Sequence, residues 1–226
     1  MVKRLVVLCC ILLLPTIAAS ASPEGNRTYG DWWVGGQVGA LWTTEVDMQL
    51  RGPRLVGELN DIGTDVAVTA GAIVGYNFCM PYRPAWQRYF GVAPDFSWNQ
   101  FTQGGLPVEG NQYALAFLAR IQYPLMGNER FSRGRLVPFI MFGPAIVWTN
   151  SDFSNIGGTS RTSTNFGLVA EIGLEYFICP RLSIGPSFRY RHVWGPEYEF
   201  QGVNVNVDKK GGLDQFMVLG RLAWHF

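Results

Sequence analysis

The side chains of this sequence best suited to acid–base catalysis are its two histidines. His192 and Asp214 belong to segments that we expect to be adjacent strands, where a carboxylate could orient an imidazole as a general base. No hydroxyl group completes a catalytic set with this pair. His225 is the only other histidine, which excludes a metal site built from several histidines. We therefore predict no catalytic, cofactor-binding or metal-binding residues.

A second group of residues with chemical potential is charged, and each member lies on the polar face of an alternating segment. Its members are Asp95, Arg120, Glu171, Glu175, Arg189, Arg191 and Arg221. Burial of such charges is costly unless they are paired and hydrogen-bonded, and four arginines nearly balance three carboxylates. Glu171 and Arg189 fall at nearly equal heights on neighbouring segments, so we expect a cross-strand ion pair between them. The set predicts a polar plug, with a gated pore or a proton relay as the alternative.

Eight segments of alternating hydrophobicity must position these charges. They cover residues 31–44, 66–79, 87–100, 112–123, 136–149, 164–178, 182–195 and 214–226. Segments of about 10 residues that alternate in this way, parted by turn residues, are typical of membrane-spanning barrels. A soluble sandwich also alternates, but its connections are evenly short. We predict an all-β fold, an eight-stranded antiparallel up-and-down transmembrane β-barrel, whose lumen is just wide enough for side chains.

Tryptophans stand near the ends of these segments on the apolar parity. Trp42, Trp98, Trp148 and Trp194 each close an odd-numbered segment. At the opposite ends stand Trp32 and Trp224. Indoles are enriched at membrane–water interfaces, so we predict two aromatic girdles.

The first 21 residues predict a secretory signal peptide. Lys3 and Arg4 precede an apolar run, and small residues end it at 19–21, so we assign 1–21 to the signal and 22–226 to one barrel domain. Loss of Lys3 and Arg4 takes the 18 basic residues to 16 against 17 acidic ones, a net charge of −1. The mature chain thus lacks the basic surface that nucleic-acid binding requires.

Two features qualify the barrel. Pro94, Pro144 and Pro186 each remove a donor from the sheet, and we expect a local bulge at each of them. Both faces of segment 136–149 are apolar, so the sequence does not decide which of them points into the barrel. The longer connections, about 45–65, 101–111, 150–163 and 196–213, are expected on the outer side, and the long stretch 124–135 is an exception on the inner side.

The end of the chain carries a resemblance to a known family. Leu222, Trp224 and Phe226 alternate up to the terminus and resemble the carboxy-terminal signature of bacterial outer-membrane barrels. Together with the eight segments, they make the chain similar to the OmpA-like and OmpX-like eight-stranded membrane domains. The resemblance implies a Gram-negative outer membrane, and it implies that the barrel assembly machinery reads the last strand as an assembly signal.

A weaker resemblance concerns His192. The stretch FRYRHVWGPE (188–197) is faintly similar to the histidine region of the lipid A deacylases, but those enzymes place a serine where this chain has Trp194.

Two cysteines, Cys79 and Cys179, remain after the predicted signal peptide, in an oxidising compartment. Their segments face each other across an eight-stranded ring, whereas a disulfide needs Cα atoms within about 7 Å. The sequence is compatible with a disulfide across an oval barrel mouth and also with two free thiols.

Three functions are compatible with these residues. A structural or surface-interaction barrel that acts through its outer loops is preferred. In it the VNVNV stretch could offer a free edge to partner strands, although a simple extension of the hairpin is favoured. A narrow, porin-like small-solute channel, as in OmpW-like barrels, is the first alternative, and a lipid A-modifying acyl hydrolase is the second. We expect a monomer without cofactors that contacts outer-membrane lipids and lipopolysaccharide and has a surface ligand that the sequence does not identify.

Overall fold

A computed structural model provides the three-dimensional structure of the chain. It describes residues 31–44, 46–51, 56–62, 66–78, 89–102, 109–127, 131, 134–152, 161–194, 197–200, 203–206 and 212–226. In this part of the chain no helix has the length and apolar character needed to span a membrane. The predicted signal peptide lies outside the described residues, as does Cys79.

Eight long strands form a closed antiparallel barrel, which confirms the predicted fold class. They are β1 (Asp31–Thr43), β4 (Ala67–Asn77), β5 (Phe90–Thr102), β6 (Glu109–Gln122), β7 (Leu136–Asp152), β8 (Arg161–Cys179), β9 (Leu182–Val193) and β12 (Leu213–His225). Each strand pairs with its sequence neighbour in the barrel, and β1 closes the ring by pairing with β12. Because closure removes both free edges, every barrel strand has a partner on each side.

The two faces of each strand differ as the alternation predicts. Even-numbered residues face outward in seven of the strands, whereas β6 has its odd-numbered residues outside. The exterior is apolar, as at Val38, Phe117 and Ile172, which are more than half exposed. An apolar exterior around buried charges inverts the usual arrangement of a water-soluble protein.

The facing of β7, which the sequence left open, is settled by the structure. Val137, Phe139 and Met141 point inward and are buried, while Ile140 and Phe142 are exposed. β7 therefore contributes an apolar wall to the interior, and the charged side chains come from the other strands.

The bulges expected at the three prolines are wrong. At Pro94, Pro144 and Pro186 the ladder loses pairs on one side only, and the register on either side of the gap is unchanged. The residue before Pro144 shows how this is possible, because a Cβ on Gly143 would overlap the carbonyl oxygen of Phe117 on β6. Close approach of the two backbones at a glycine thus keeps the strands in register where the proline cannot donate.

Four short strands form a second sheet at the end of the barrel opposite the termini, which we call the outer end. They are β2 (Val46–Arg51), β3 (Val56–Ile62), β10 (Glu197–Phe200) and β11 (Val203–Asn206), in the order β10-β11-β2-β3. The hairpin extension favoured for VNVNV is confirmed, since β11 pairs with β10. The alternative of a free edge is wrong, because β2 pairs with the other side of β11. The outer connections at 101–111 and 150–163 are also shorter than expected, since β5 to β8 extend into them.

Candidate functional site

The centre of the barrel interior holds a shared ion-pair network. The guanidinium of Arg189 lies 2.8 Å from Asp95 Oδ2 and 2.7 Å from Glu171 Oε2. Arg221 Nη2 contacts the other oxygen of Glu171 at 2.5 Å. The amide of Gln37 joins the group, because its Nε2 donates to Asp95 Oδ2 over 2.6 Å and its Oε1 accepts from both arginines. All of these side chains are buried.

A second ion pair lies toward the end that carries the termini, which we call the inner end. Arg120 donates two hydrogen bonds to Glu175, of 3.0 and 2.8 Å, in the bidentate geometry that favours arginine–carboxylate recognition. Its guanidinium carbon also lies 4.9 Å from the ring centre of Trp33 and 4.7 Å from that of Phe139. Arg221 reaches the same two rings at 5.8 and 5.1 Å. Aromatic faces thus stabilise both buried cations inside the barrel.

Arg191 lies toward the outer end and has a different environment. Its three hydrogen bonds go to Gln215 Oε1, Ser97 Oγ and Gln112 Oε1. An exchange of the amide nitrogen and oxygen of Asn99 would add a fourth, from Arg191 to the amide oxygen at 2.7 Å. The group around Arg191 is therefore built from neutral amides and hydroxyls.

The network crosses the lumen rather than following its wall. Arg189 on β9 reaches Asp95 on β5, which lies on the far side of the ring, four strands away, and Arg120 on β6 reaches Glu175 on β8. The structure thus brings together six of the seven predicted lumen charges in one group of ion pairs, with Arg191 beside it. Such cross-links fill the cross-section with side chains and tie opposite walls together.

The inner mouth is covered by part of the segment 124–135. Phe131 is buried against Val137 and Phe177. The guanidinium of Arg135 lies over Phe131 at 5.5 Å and over Tyr176 at 5.0 Å. Phe131 and Arg135 of this inner connection therefore pack back onto the barrel, which gives its described part a structural use.

The six predicted girdle tryptophans all lie on the outward parity. At the outer end Trp42 stacks on Phe216, and Trp194 stacks on Phe166. Trp98 and Trp148 complete that end on β5 and β7. At the inner end Trp32 packs against Tyr76 at 4.9 Å, and Trp224 pairs with Leu182. Ten residues of tilted strand separate Trp32 from Trp42, or about 25 Å along the barrel axis.

The outer surface of β9 and β12 carries a small polar cluster. His192 Nδ1 lies 2.7 Å from Asp214 Oδ1, and the hydroxyl of Tyr190 donates to the same oxygen over 2.7 Å. Sequence reasoning did not anticipate the hydroxyl of Tyr190 here, although the alternation of Tyr190 with His192 places both side chains on the same face of β9. The hydroxyl is hydrogen-bonded to the carboxylate and not to the imidazole. The cluster therefore lacks the hydroxyl–imidazole–carboxylate order in which a base activates a nucleophile. Among the described residues no group of three or more metal-ligating side chains is found.

The predicted assembly signal and one of the two cysteines lie near the inner end of the barrel. Leu222, Trp224 and Phe226 lie on β12 or directly after it, where Phe226 N donates to Trp32 O over 2.9 Å and helps to close the ring. Cys179 is half-buried at the end of β8 and has no disulfide partner among the described residues. Cys79 lies outside the described residues, so its pairing with Cys179 stays a prediction.

Sequence reasoning missed the aromatic part of the interior. Trp33 is fully buried and packs against Gly75, where a Cβ would overlap the indole. Its signal was its parity, since it lies between two outward residues of β1. Phe139 was missed because both faces of β7 are apolar.

Comparisons with known proteins agree with this architecture. The family model described as outer membrane protein beta-barrel domain matches residues 9–210. A search of curated proteins finds no match. The chain is similar to the outer membrane protein OprG from Pseudomonas aeruginosa, with 14% identity, a TM-score of 0.60 and coverage of 89% of this chain and 98% of that one. It is also similar to Neisserial surface protein A, with 12% identity, a TM-score of 0.51 and coverage of 86% and 97%. At these identities the two solved structures support the fold alone.

Proposed function

Because the chain belongs to the family of outer membrane protein β-barrel domains, and is therefore a small barrel of the bacterial outer membrane, we propose that it is a closed structural or surface-interaction protein that acts through its extracellular connections. Its exterior contacts outer-membrane lipids and lipopolysaccharide, and the barrel assembly machinery inserts it. The outer end then faces the medium, and the inner end faces the periplasm.

The observation that carries the closed lumen is the ion-pair network across it. Three carboxylates and three guanidiniums, Asp95, Glu171, Glu175, Arg120, Arg189 and Arg221, neutralise each other at 2.5–2.8 Å. Opening a path for solute would separate these charges. The buried charges are paired and hydrogen-bonded to one another, and this arrangement favours the closed state over one in which the pairs are broken.

The surface role is supported by the second sheet. Its strands come from two connections that are distant in sequence, 44–66 and 194–212, yet β2 pairs with β11 through Arg51↔Asn204, Val205↔Leu50 and Asn206↔Gln49. A sheet of four strands is a more ordered platform than two separate loops would be. Functional residues are often carried by connections that a rigid scaffold holds in place.

Planar-bilayer recording tests the closed lumen. We expect the refolded wild-type chain to give no steady current in potassium chloride. The matched pair is Glu171→Gln, which unbalances the network, and Asp214→Asn, which alters a carboxylate of the outer surface only. Brief openings of the first variant and silence of the second would support the plug, whereas steady current through the wild type would instead favour the small-solute channel.

A hairpin replacement tests the surface role. A chain in which a short Gly-Ser turn replaces residues 46–62 should retain the heat-dependent gel mobility of a folded barrel and its yield in the outer membrane. Live cells that display either form are then compared on immobilised proteins and polysaccharides. We expect binding by wild-type cells that the replacement abolishes, and equal behaviour of both strains across the panel would contradict the proposal.

The hydrolase alternative rests on the His192–Asp214 pair at the outer end. Among the described residues no serine, threonine or cysteine hydrogen-bonds to this imidazole. We therefore expect His192→Ala to leave the acyl chains of lipopolysaccharide unchanged in mass spectra of outer-membrane extracts. A shift in acylation that depends on His192 would contradict the non-enzymatic proposal.

A further inference from the structure

One lumen cation has no counter-charge in the network. The three carboxylates are shared among Arg120, Arg189 and Arg221, so these six charges balance one another. Arg191 is 1% exposed. The ion pairs of the described lumen carboxylates are all with Arg120, Arg189 or Arg221 and none is with Arg191. Among the described interior side chains there is therefore one more guanidinium than carboxylates, and the unmatched guanidinium is that of Arg191.

The neighbours of Arg191 do not remove this charge. Gln112, Gln215 and Ser97 accept three of the five N–H groups of the guanidinium. In the orientation of Asn99 that best fits its neighbours, a fourth N–H is also accepted, which leaves one donor. Amide dipoles lower the cost of a buried cation but leave its full charge in place, and an uncompensated buried charge is costly.

We propose that the lumen binds one small monovalent anion at Arg191, a halide or the carboxylate of a small solute, which enters from the outer end. This inference rests on the closed lumen proposed above and adds a ligand to it. The wall around the site is polar, since Gln112 Nε2 donates to the hydroxyl of Thr149. Ser151, two residues closer to the outer end on the same face of β7, is also buried. On the inner side the guanidiniums of Arg189 and Arg221 are already paired with Asp95 and Glu171, so no unpaired guanidinium there attracts an anion deeper. The anion therefore stays at Arg191 instead of crossing.

Anion-dependent thermal stability tests the site. An anion that binds only the folded barrel raises its melting temperature, and the rise grows with the ratio of free anion to Kd. The refolded full chain is melted in detergent with sodium chloride, sodium formate or sodium gluconate at equal ionic strength. We expect a higher Tm with chloride or formate than with gluconate, whose anion is too large, and the better of the two small anions identifies halide or carboxylate.

Three variants assign the effect to Arg191. Arg191→Gln should fold, as shown by gel mobility, and lose the dependence on small anions. Arg191→Lys retains the charge and should retain the dependence, and Arg181→Gln, at the turn between β8 and β9, is the matched control that should behave as wild type. An equal rise in Arg191→Gln, or none in the wild type, would overturn the proposal.

Crystals grown in sodium bromide provide a direct reading. We expect an anomalous peak within about 4 Å of the Arg191 guanidinium in the wild type and none there in Arg191→Gln. Failure of this site is distinguishable from failure of the plug. A conducting barrel would show current in the bilayer, whereas a closed barrel without the anion would show neither current nor chloride dependence.

Discussion

Neutralisation of Glu171 is the sharpest perturbation of the lumen. Its carboxylate is buried and contacts Arg189 and Arg221 at 2.7 and 2.5 Å, so Glu171→Gln removes one charge and leaves two guanidiniums with fewer partners. Loss of one member of a buried ion pair costs about 3–5 kcal/mol. Arg189 retains Asp95, and Arg221 retains Glu175 at 3.8 Å, which places the expected loss near the lower limit, at about 3 kcal/mol. Such a loss corresponds to a change of about a hundredfold in the folding equilibrium constant.

The assay is urea-dependent folding into lipid vesicles, followed by the gel mobility of the folded form. The double variant Glu171→Gln, Arg221→Gln provides the decisive comparison, because it leaves Asp95–Arg189 and Glu175–Arg120 as balanced pairs. We expect the double variant to lose clearly less stability than the sum of the two single variants. Additive losses, or a stability of Glu171→Gln equal to that of the wild type, would refute the argument from shared charge.

Three further predictions concern packing and assembly. Gly75→Ala should lower the melting temperature of the refolded barrel because the new Cβ would overlap the indole of Trp33. Gly36→Ala is the control and should have little effect, since its Cβ would meet no atom within 4 Å. Similar melting temperatures of the two variants would contradict this packing. Phe131→Ala should destabilise the inner mouth by about 1–3 kcal/mol, below the range for a full core position. It should also expose 124–135 to protease that is added on the membrane side where the inner end of the reconstituted barrel lies. Unchanged cleavage would show that Phe131 does not hold the segment. Phe226→Ala should lower the amount of protein in the outer membrane of cells while refolding in detergent proceeds as in the wild type, and an equal defect in both would indicate a structural role instead of an assembly signal.

The barrel could be predicted from the sequence because its information is local. Alternation along each segment decides which side chains face inward, and this placed residues such as Asp95 and Glu175 in the interior before any partner was known. The pairing across the lumen is not local. Asp95 and Arg189 are 94 residues apart, and the stagger of the strands around the ring, which alternation does not encode, decides that they meet.

The missed features have physical reasons of the same kind. At Pro144 and Pro186 the expected bulges were wrong because the close approach of the preceding glycine, Gly143 or Gly185, depends on the opposite strand. Pro94 keeps its register without a glycine directly before it. The second sheet joins β2 to β11 across more than 150 residues, so neither hairpin alone indicates it. Trp33 and Phe139 were overlooked because an aromatic side chain is suited both to the exterior and to a stack on a buried arginine.

The central claim is that this barrel presents its apolar face to lipid and keeps its charges sealed inside. A spin-label scan of β8 from 168 to 177, in a chain with Cys79 and Cys179 replaced by serine and reconstituted in bilayers, measures this face by face. We predict that labels at even positions such as Leu168 and Ile172 respond strongly to oxygen dissolved in lipid, while labels at odd positions such as Val169 and Phe177 respond weakly both to oxygen and to a water-soluble nickel complex. Odd positions that contact lipid, or even positions that contact the water-soluble complex, would contradict the account.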